Sequence, residues 1–231
     1  MKHIVSFSGG KDSTAMLLMM INKGLQIDEI VFCDTSAEFE AMYKHIDMIE
    51  KAIDRPVTRL HFEHDFMYYM LDYEKKKGKS KGSHGYGWCG GMCRWGTTLK
   101  QQLFDRYIKK KYDNKIIEYQ GIAVDEPERL KRNSYKKWAV KYPLAEWNVA
   151  EAEALKYCYE LGYDYENLYN ILDHVSCRYC RNKNLKELRN IYYELPDLYN
   201  ELVNLEIEIG EEYRKGKTLK DFEWYGQQRM F

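Results

Sequence analysis

Ser8-Gly9-Gly10-Lys11-Asp12-Ser13 joins two segments of different character. Before it, His3-Ile4-Val5-Ser6-Phe7 is rich in β-formers and predicts a buried strand. After it, Thr14 to Lys23 is apolar nearly all round, through Ala15, Met16, Leu17, Leu18, Met19, Met20 and Ile21, and Gly24 stops it. That pattern predicts a buried helix. A glycine turn between a first strand and a first helix is suited to an anion. Glycines let backbone N–H groups approach phosphate oxygens, and the helix N-terminus adds a positive dipole end. Lys11 supplies a point charge, and Ser8 and Ser13 supply hydroxyl donors. Lys11 is expected to stand exposed until a phosphate arrives. Asp12 is unusual beside an anion; it serves either to hold Mg²⁺ on the phosphates or to cap the helix. The common mononucleotide loop, with its Gly-Lys followed by Ser or Thr, is absent, because Asp12 follows Lys11.

Working outward, Glu29–Cys33 and Val57–Phe62 read as further strands, with a helix over Glu38–Ile53 between them and another over Asp65–Lys77. Residues 78–94 break the pattern with a basic, Gly-rich loop. A helix over Thr97–Tyr112 and a fourth strand over Ile116–Val124 follow. After Trp147 the chain turns helical, with Asn148 as the expected N-cap. Asn184–Ile209 is a helical stretch interrupted at Pro196. This alternation predicts an α/β fold, a doubly wound and mostly parallel sheet, with a small helical C-terminal region. The expected domains are residues 1–147, binding nucleotide, and 148–231.

The 231 residues carry 36 Lys plus Arg against 36 Asp plus Glu, a formal net charge of zero. That balance argues against a protein that coats nucleic acid, though not against a local basic groove. Lys79, Lys81 and the run Lys109-Lys110-Lys111 are candidates for nucleic-acid phosphates, or a solvated face. The 21 Tyr fit a binding face or a homo-oligomer interface, or amphipathic helix edges. No signal peptide and no membrane span are visible, so a cytoplasmic protein is expected. Six cysteines in that setting point to thiols, metal or catalysis rather than disulfides.

Four segments, in order, resemble the phosphoadenosine phosphosulfate (PAPS) reductase branch of the adenine nucleotide α-hydrolase, or ATP pyrophosphatase, superfamily. Ser8 to Ser13 resembles the pyrophosphate loop. Phe32-Cys33-Asp34-Thr35-Ser36-Ala37-Glu38-Phe39 resembles the Asp-Thr-x-x-Glu stretch. Gly121-Ile122-Ala123-Val124-Asp125-Glu126-Pro127-Glu128-Arg129 resembles the Gly-x-Arg-x-x-Glu-Ser-x-x-Arg segment, and Tyr142-Pro143-Leu144-Ala145-Glu146-Trp147 the Pro-Leu-x-x-Trp stretch. The resemblance covers roughly the first two-thirds of the chain. It implies a HUP-type fold that binds ATP with Mg²⁺, cleaves between the α and β phosphates, and adenylates a substrate. Two departures stand out. Ala123 replaces an arginine, and Gln227-Gln228-Arg229-Met230-Phe231 lacks the Glu-Cys-Gly tail whose cysteine attacks sulfate in the reductases.

Cys89-x₃-Cys93 and Cys177-x₂-Cys180 are two close pairs that can converge on a tetrahedral metal site. A [4Fe–4S] cluster, Zn²⁺ and plain thiols are the alternatives, and the resemblance favours iron and sulfur. Cys33 and Cys158 read as core residues. Arg94 and Lys100, beside the first pair, are candidates to meet nucleotide phosphate or the transferred group. Asp34, Gly121, Asp125, Glu126 and Arg129 are candidates at the carboxyl edge of the sheet. Lys11, Asp12, Arg94 and Arg129 form the expected catalytic set; Ser8, Gly9, Gly10, Ser13, Asp34, Lys100, Gly121, Asp125 and Glu126 complete the nucleotide site.

The expected function is an ATP-dependent adenylating enzyme that releases AMP and pyrophosphate, serving sulfur transfer or nucleobase modification. Its partners would be an adenine nucleotide and a nucleic acid or sulfur-donor protein. The rival enzyme is a sulfonucleotide reductase. The rival without catalysis is a nucleotide-binding subunit of a DNA-modification or defence complex.

Overall fold

The computed structural model describes residues 1–88, 93–131, 136–175 and 177–226. Among the described residues five strands, β1 (Lys2–Ser6), β2 (Glu29–Cys33), β3 (Val57–Leu60), β4 (Ile116–Gln120) and β5 (Ala139–Lys141), form one sheet in the order β3-β2-β1-β4-β5. Every pairing is parallel. The order reverses at β1, so the chain is doubly wound, as expected. Parallel sheets need both faces covered. Ile4 and Val5, which point to opposite faces of β1, are both fully buried. On one face Ile4, Val31 and Ile116 pack with Phe104 and Ile108 of the helix Lys100–Tyr112.

The helices are α1 (Lys11–Asn22), α2 (Glu40–Ile53), α3 (Lys100–Tyr112), α4 (Pro127–Leu130), α5 (Pro143–Glu146), α6 (Glu151–Glu160), α7 (Leu168–Ile171), α8 (Leu185–Glu194) and α9 (Pro196–Ile209). Two compact units result. The first comprises Met1–Asp34, Glu40–His61 and Gln101–Glu166, and the second Thr35–Phe39, Phe62–Lys100 and Asn167–Phe231. The expected boundary at residue 147 therefore falls inside the first unit, where α6 packs along α1. No helix among the described residues is long and apolar enough to cross a membrane.

Three local expectations need correction. The helix expected over Asp65–Lys77 is reduced to a π-helical turn, Tyr68–Asp72. Its continuation is blocked because the carbonyls of Tyr69, Met70 and Tyr73 accept from the amides of Tyr86, Gly87 and Gly85 instead. Asn148 does not cap α6. It adopts a left-handed φ of 57° in the turn after α5, and Ala150 holds the cap position. The fourth strand stops at Gln120, short of Val124, because the chain at Gly121 presses against α1.

The second unit is built on aromatics. Trp95 is 2% exposed, with the rings of Tyr69 and Phe62 centred 4.5 and 4.6 Å away. Asn184 and Glu187 form a reciprocal cap at the start of α8: the Asn184 side chain accepts from Glu187 N at 2.8 Å, and Glu187 Oε2 accepts from Asn184 N at 2.9 Å.

Candidate functional site

The strand order places two loops side by side. The chain leaves β1 into residues 8–10 and leaves β4 into Gly121, and Ser6 pairs in register with Gln120. This is the reversal point of a doubly wound sheet, where ligands bind beyond the carboxyl ends of the strands. Gly9 has φ +78°, a conformation that suits glycine, and Gly10 occupies the N-cap of α1 with no side chain closing it. The first turn of α1 thus has no side-chain cap. Ser13 Oγ ties the loop together. It accepts from Ser8 N at 3.2 Å, donates to Gly10 O at 3.0 Å, and lies 3.0 Å from Ser8 Oγ. Beneath, Thr14 Oγ1 donates to Gly9 O at 3.2 Å and meets His45 Nε2 at 3.0 Å.

Gly121 explains why the two loops can meet. A Cβ there would stand 2.7 Å from both Ser13 Cα and Ser13 N, and 2.8 Å from Asp12 C. Only a residue without a side chain permits that backbone approach.

Lys11 departs from expectation. It is buried, at 6% exposure, rather than exposed. Its ammonium lies 2.5 Å from Glu151 Oε2 and 3.1 Å from Asp12 Oδ2. Burial lowers its pKa, but the two carboxylates outweigh burial and hold it above the ordinary lysine value. Asp12 shows the opposite balance. Burial raises its carboxyl above the ordinary range despite the Lys11 charge, and Glu151 and Glu126 add to the rise. Asp12 Oδ1 is buried and has no hydrogen-bond partner among the described residues.

The loop after β4 supports the same corner. Asp125 Oδ1 accepts from Glu151 N at 3.1 Å, which fixes the first turn of α6 and with it the carboxylate that holds Lys11. Glu126 Oε2 accepts from Ala123 N at 3.4 Å, and Arg129 Nη1 lies 2.5 Å from Glu126 Oε1. Asp34, at the end of β2, accepts from Tyr43 OH at 2.7 Å and stands 3.4 Å from His61 Nδ1. Ser8 to Ser13, Asp34, Gly121, Asp125, Glu126 and Arg129 all belong to the first unit. Glu151 was not singled out in the sequence; a glutamate in a helical first turn carries no signal that its partner is the loop lysine.

Arg94 and Lys100 belong to the second unit. Arg94 is exposed and opens a π-helical turn, Arg94–Leu99. Lys100 Nζ is held 2.8 Å from Glu38 Oε1, which also accepts from Thr35 Oγ1 at 3.0 Å.

Of the four cysteines expected to share a metal, Cys89 lies outside the described residues. Cys93 Sγ accepts from Gly96 N at 3.2 Å. Cys180 N donates to Cys177 O at 3.1 Å, closing the turn between that pair. Burial pushes the Cys177 thiol up to about 12, with Glu38 adding to the rise. Lys183, one turn further, is 3% exposed, and its Nζ has no hydrogen-bond partner among the described residues. No group of three or more His, Cys, Asp or Glu side chains among the described residues forms a metal site. The thiols described do not by themselves fit a tetrahedral centre.

A model of the phosphoadenosine phosphosulfate reductase domain matches residues 2–183. An uncharacterized protein of Methanocaldococcus jannaschii is 27% identical over 223 residues, which cover 93% of this chain and 43% of that protein. The chain thus spans less than half the length of this relative.

Proposed function

This chain belongs to the phosphoadenosine phosphosulfate reductase domain family, and we propose that it is an ATP-dependent adenylating enzyme releasing AMP and pyrophosphate. The observation that carries the reading is the corner around Asp12. An uncapped helix N-terminus that suits phosphate stands beside three carboxylates, Asp12, Glu126 and Glu151, with Lys11 committed to two of them. An anion entering there needs further positive charge. Mg²⁺ bound through one carboxylate and the nucleotide phosphates meets that need. Asp12 Oδ1, buried and unpartnered, is the oxygen suited to hold it.

When bound, Mg²⁺ would neutralise the β and γ phosphates. The protein's own groups then do the rest. The backbone amides of the first turn of α1 orient the phosphate chain, with Ser8 and Ser13 as hydroxyl donors. Lys11 exchanges Glu151 for a phosphate oxygen, and Arg129 adds charge at the edge. A substrate oxygen attacks the α phosphorus, the bond from that phosphorus to the bridging oxygen breaks, and pyrophosphate leaves. A nucleophile such as sulfur then attacks the adenylated carbon, the carbon–oxygen bond breaks, and AMP leaves. Asp34, at the end of β2, marks the adenine side. Sulfur transfer or nucleobase modification is the setting that this chemistry serves.

Product analysis tests the reading. Turnover of ATP with nucleoside and oligonucleotide acceptors, resolved by chromatography, should give AMP and pyrophosphate in equal amounts. ADP and phosphate as the main products would overturn it.

A further inference from the structure

The second unit carries a cavity of about 740 Å³ whose lining is strongly basic. Lys75, Lys76, Lys77 and Lys79 line it from one side and Arg94 from another, with Tyr73, Tyr86 and Trp88 among them. The whole chain has zero formal charge, so this concentration is local.

The loop that bears the lysines has a defined shape. Its neck is closed by Lys75 N donating to Ser83 O at 2.8 Å and Gly82 N donating to Lys75 O at 2.9 Å. Its tip is held by Lys81 N on Gly78 O at 3.2 Å and by Ser83 Oγ on Ser80 O at 2.7 Å. The returning chain is pinned to the turn Tyr68–Asp72. Gly85, at φ +62°, comes so close that a Cβ would stand 2.2 Å from Met70 O. Five lysines are therefore displayed on a closed loop within residues 75–81.

Their charges are uncompensated. Among the described residues, none of Lys75, Lys76, Lys77, Lys79 and Arg94 makes an ion pair. Elsewhere in the same unit Lys100 pairs with Glu38 and Arg178 with Glu201. Like charges gathered within a Debye length repel one another, and a polyanion relieves that repulsion.

The aromatics narrow the choice of polyanion. Tyr73 and Tyr86 stack on each other, with centroids 5.1 Å apart and planes 24° apart, and both are half-buried at the cavity. Burial and the Tyr73 phenol push the Tyr86 hydroxyl up to about 12, and a neutral phenol does not repel phosphate. A groove of cations beside aromatic faces is the combination that holds single strands, where bases are free to stack and the backbone follows the charge. A duplex hides its bases and would leave the rings unused.

We propose that the cavity beneath the lysine loop, lined by Lys75, Lys76, Lys77, Lys79, Arg94, Tyr73 and Tyr86, binds single-stranded nucleic acid. The site lies wholly in the second unit and shares no residue with the proposed nucleotide loop, so the two readings stand or fall separately.

Fluorescence anisotropy with labelled oligo(dT) and oligo(U) of about twelve nucleotides tests it, over ~50 to 300 mM salt. Four or five neutralised phosphates give a slope of log K against log salt of about −3. The variant with Lys76→Ala, Lys77→Ala and Lys79→Ala alters exposed side chains only. It should weaken binding about tenfold or more and flatten the slope by about two. Tyr86→Leu should weaken binding several-fold and leave the slope unchanged. Lys11→Met protein that remains folded by circular dichroism should keep oligonucleotide binding while ATP binding falls. The proposal is overturned if the wild type binds neither oligonucleotide, or if the triple variant binds as well as the wild type. It is equally overturned if duplex DNA or inorganic polyphosphate competes as well as single strands, which would mean that charge alone is recognised.

Discussion

The Lys11 ammonium on α1 and the Glu151 carboxylate on α6 stand 2.5 Å apart. The lysine proposed to meet phosphate is thus held by a carboxylate of its own chain, and Asp12 shares it at 3.1 Å. Its burial also ties the loop to the stability of the first unit. A substitution at Lys11 would strand two carboxylates in a poorly hydrated corner, so loss of binding there would be mixed with loss of stability.

Glu151→Gln separates the two effects. Asp12 still pairs with Lys11, so removing one partner of a partly buried pair should cost only about 1 to 3 kcal/mol. The freed ammonium should then meet phosphate more readily. We expect a lower melting temperature together with ATP binding tightened several-fold. Thermal melts and calorimetric titration read both. An affinity equal to wild type would mean that Lys11 does not reach the phosphates.

Gly121→Ala tests the approach of the two loops. The added Cβ meets backbone atoms of Ser13 and Asp12 at 2.7 to 2.8 Å, and backbone cannot swing aside as a side chain can. The first turn of α1 must shift. Overpacking of this kind costs about 1 to 3 kcal/mol. ATP affinity should fall at least tenfold in protein that remains folded by circular dichroism. Retained affinity would show that the geometry of this turn is not what the ligand reads.

The sequence and the structure agree where a short pattern determines its own geometry. Glu29–Cys33 is a strand with the expected bounds, and Pro196 does open a second helix, α9, after α8. The turn expected over Ser8–Ser13 does follow β1, but α1 begins inside it, at Lys11. What the sequence did not show depends on distant partners. Lys11 is buried because Glu151 reaches it from 140 residues away. The helix expected after Asp65 fails because the returning chain takes its carbonyls. The boundary expected at 147 stands where the chain turns helical, whereas α6 joins the first unit, with Ala154 and Cys158 fully buried. Arg94 and Lys100 look alike in sequence, yet of the two only Lys100 has a carboxylate to hold among the described residues.

His45 gives a pH dependence. It is fully buried beneath the loop, with Nε2 at Thr14 Oγ1 and the Tyr165 ring 4.3 Å from its own. Burial lowers its pKa from 6.5 to about 4. The unfolded chain therefore takes up a proton near pH 6.5, and the folded chain does so only near pH 4. Stability is unaffected above pH 6.5 and falls as pH drops through that window, by up to about 3 kcal/mol. His45→Gln removes this term. Urea unfolding at about pH 7 and pH 4.5 should show the wild type losing about 2 kcal/mol more than the variant. Parallel losses would place the acid sensitivity elsewhere.

Lys183 presents the reverse case, a buried cation with no partner among the described residues. Burial holds its pKa below the ordinary lysine value, and the nearby Cys180, Glu187, Cys177 and Glu38 only partly offset that. The face of the Phe39 ring lies 5.5 Å from its Nζ. An unpaired buried charge destabilises, and an apolar residue of similar length removes the penalty. Lys183→Met keeps the stem and deletes the ammonium. In protein treated with chelator, the variant should gain about 1 to 2 kcal/mol, a rise in melting temperature of about 2 to 8 °C for a chain of this size. A fall in melting temperature for Lys183→Met would mean that the folded protein keeps an anion against this lysine, and the assignment of an uncompensated charge would be wrong.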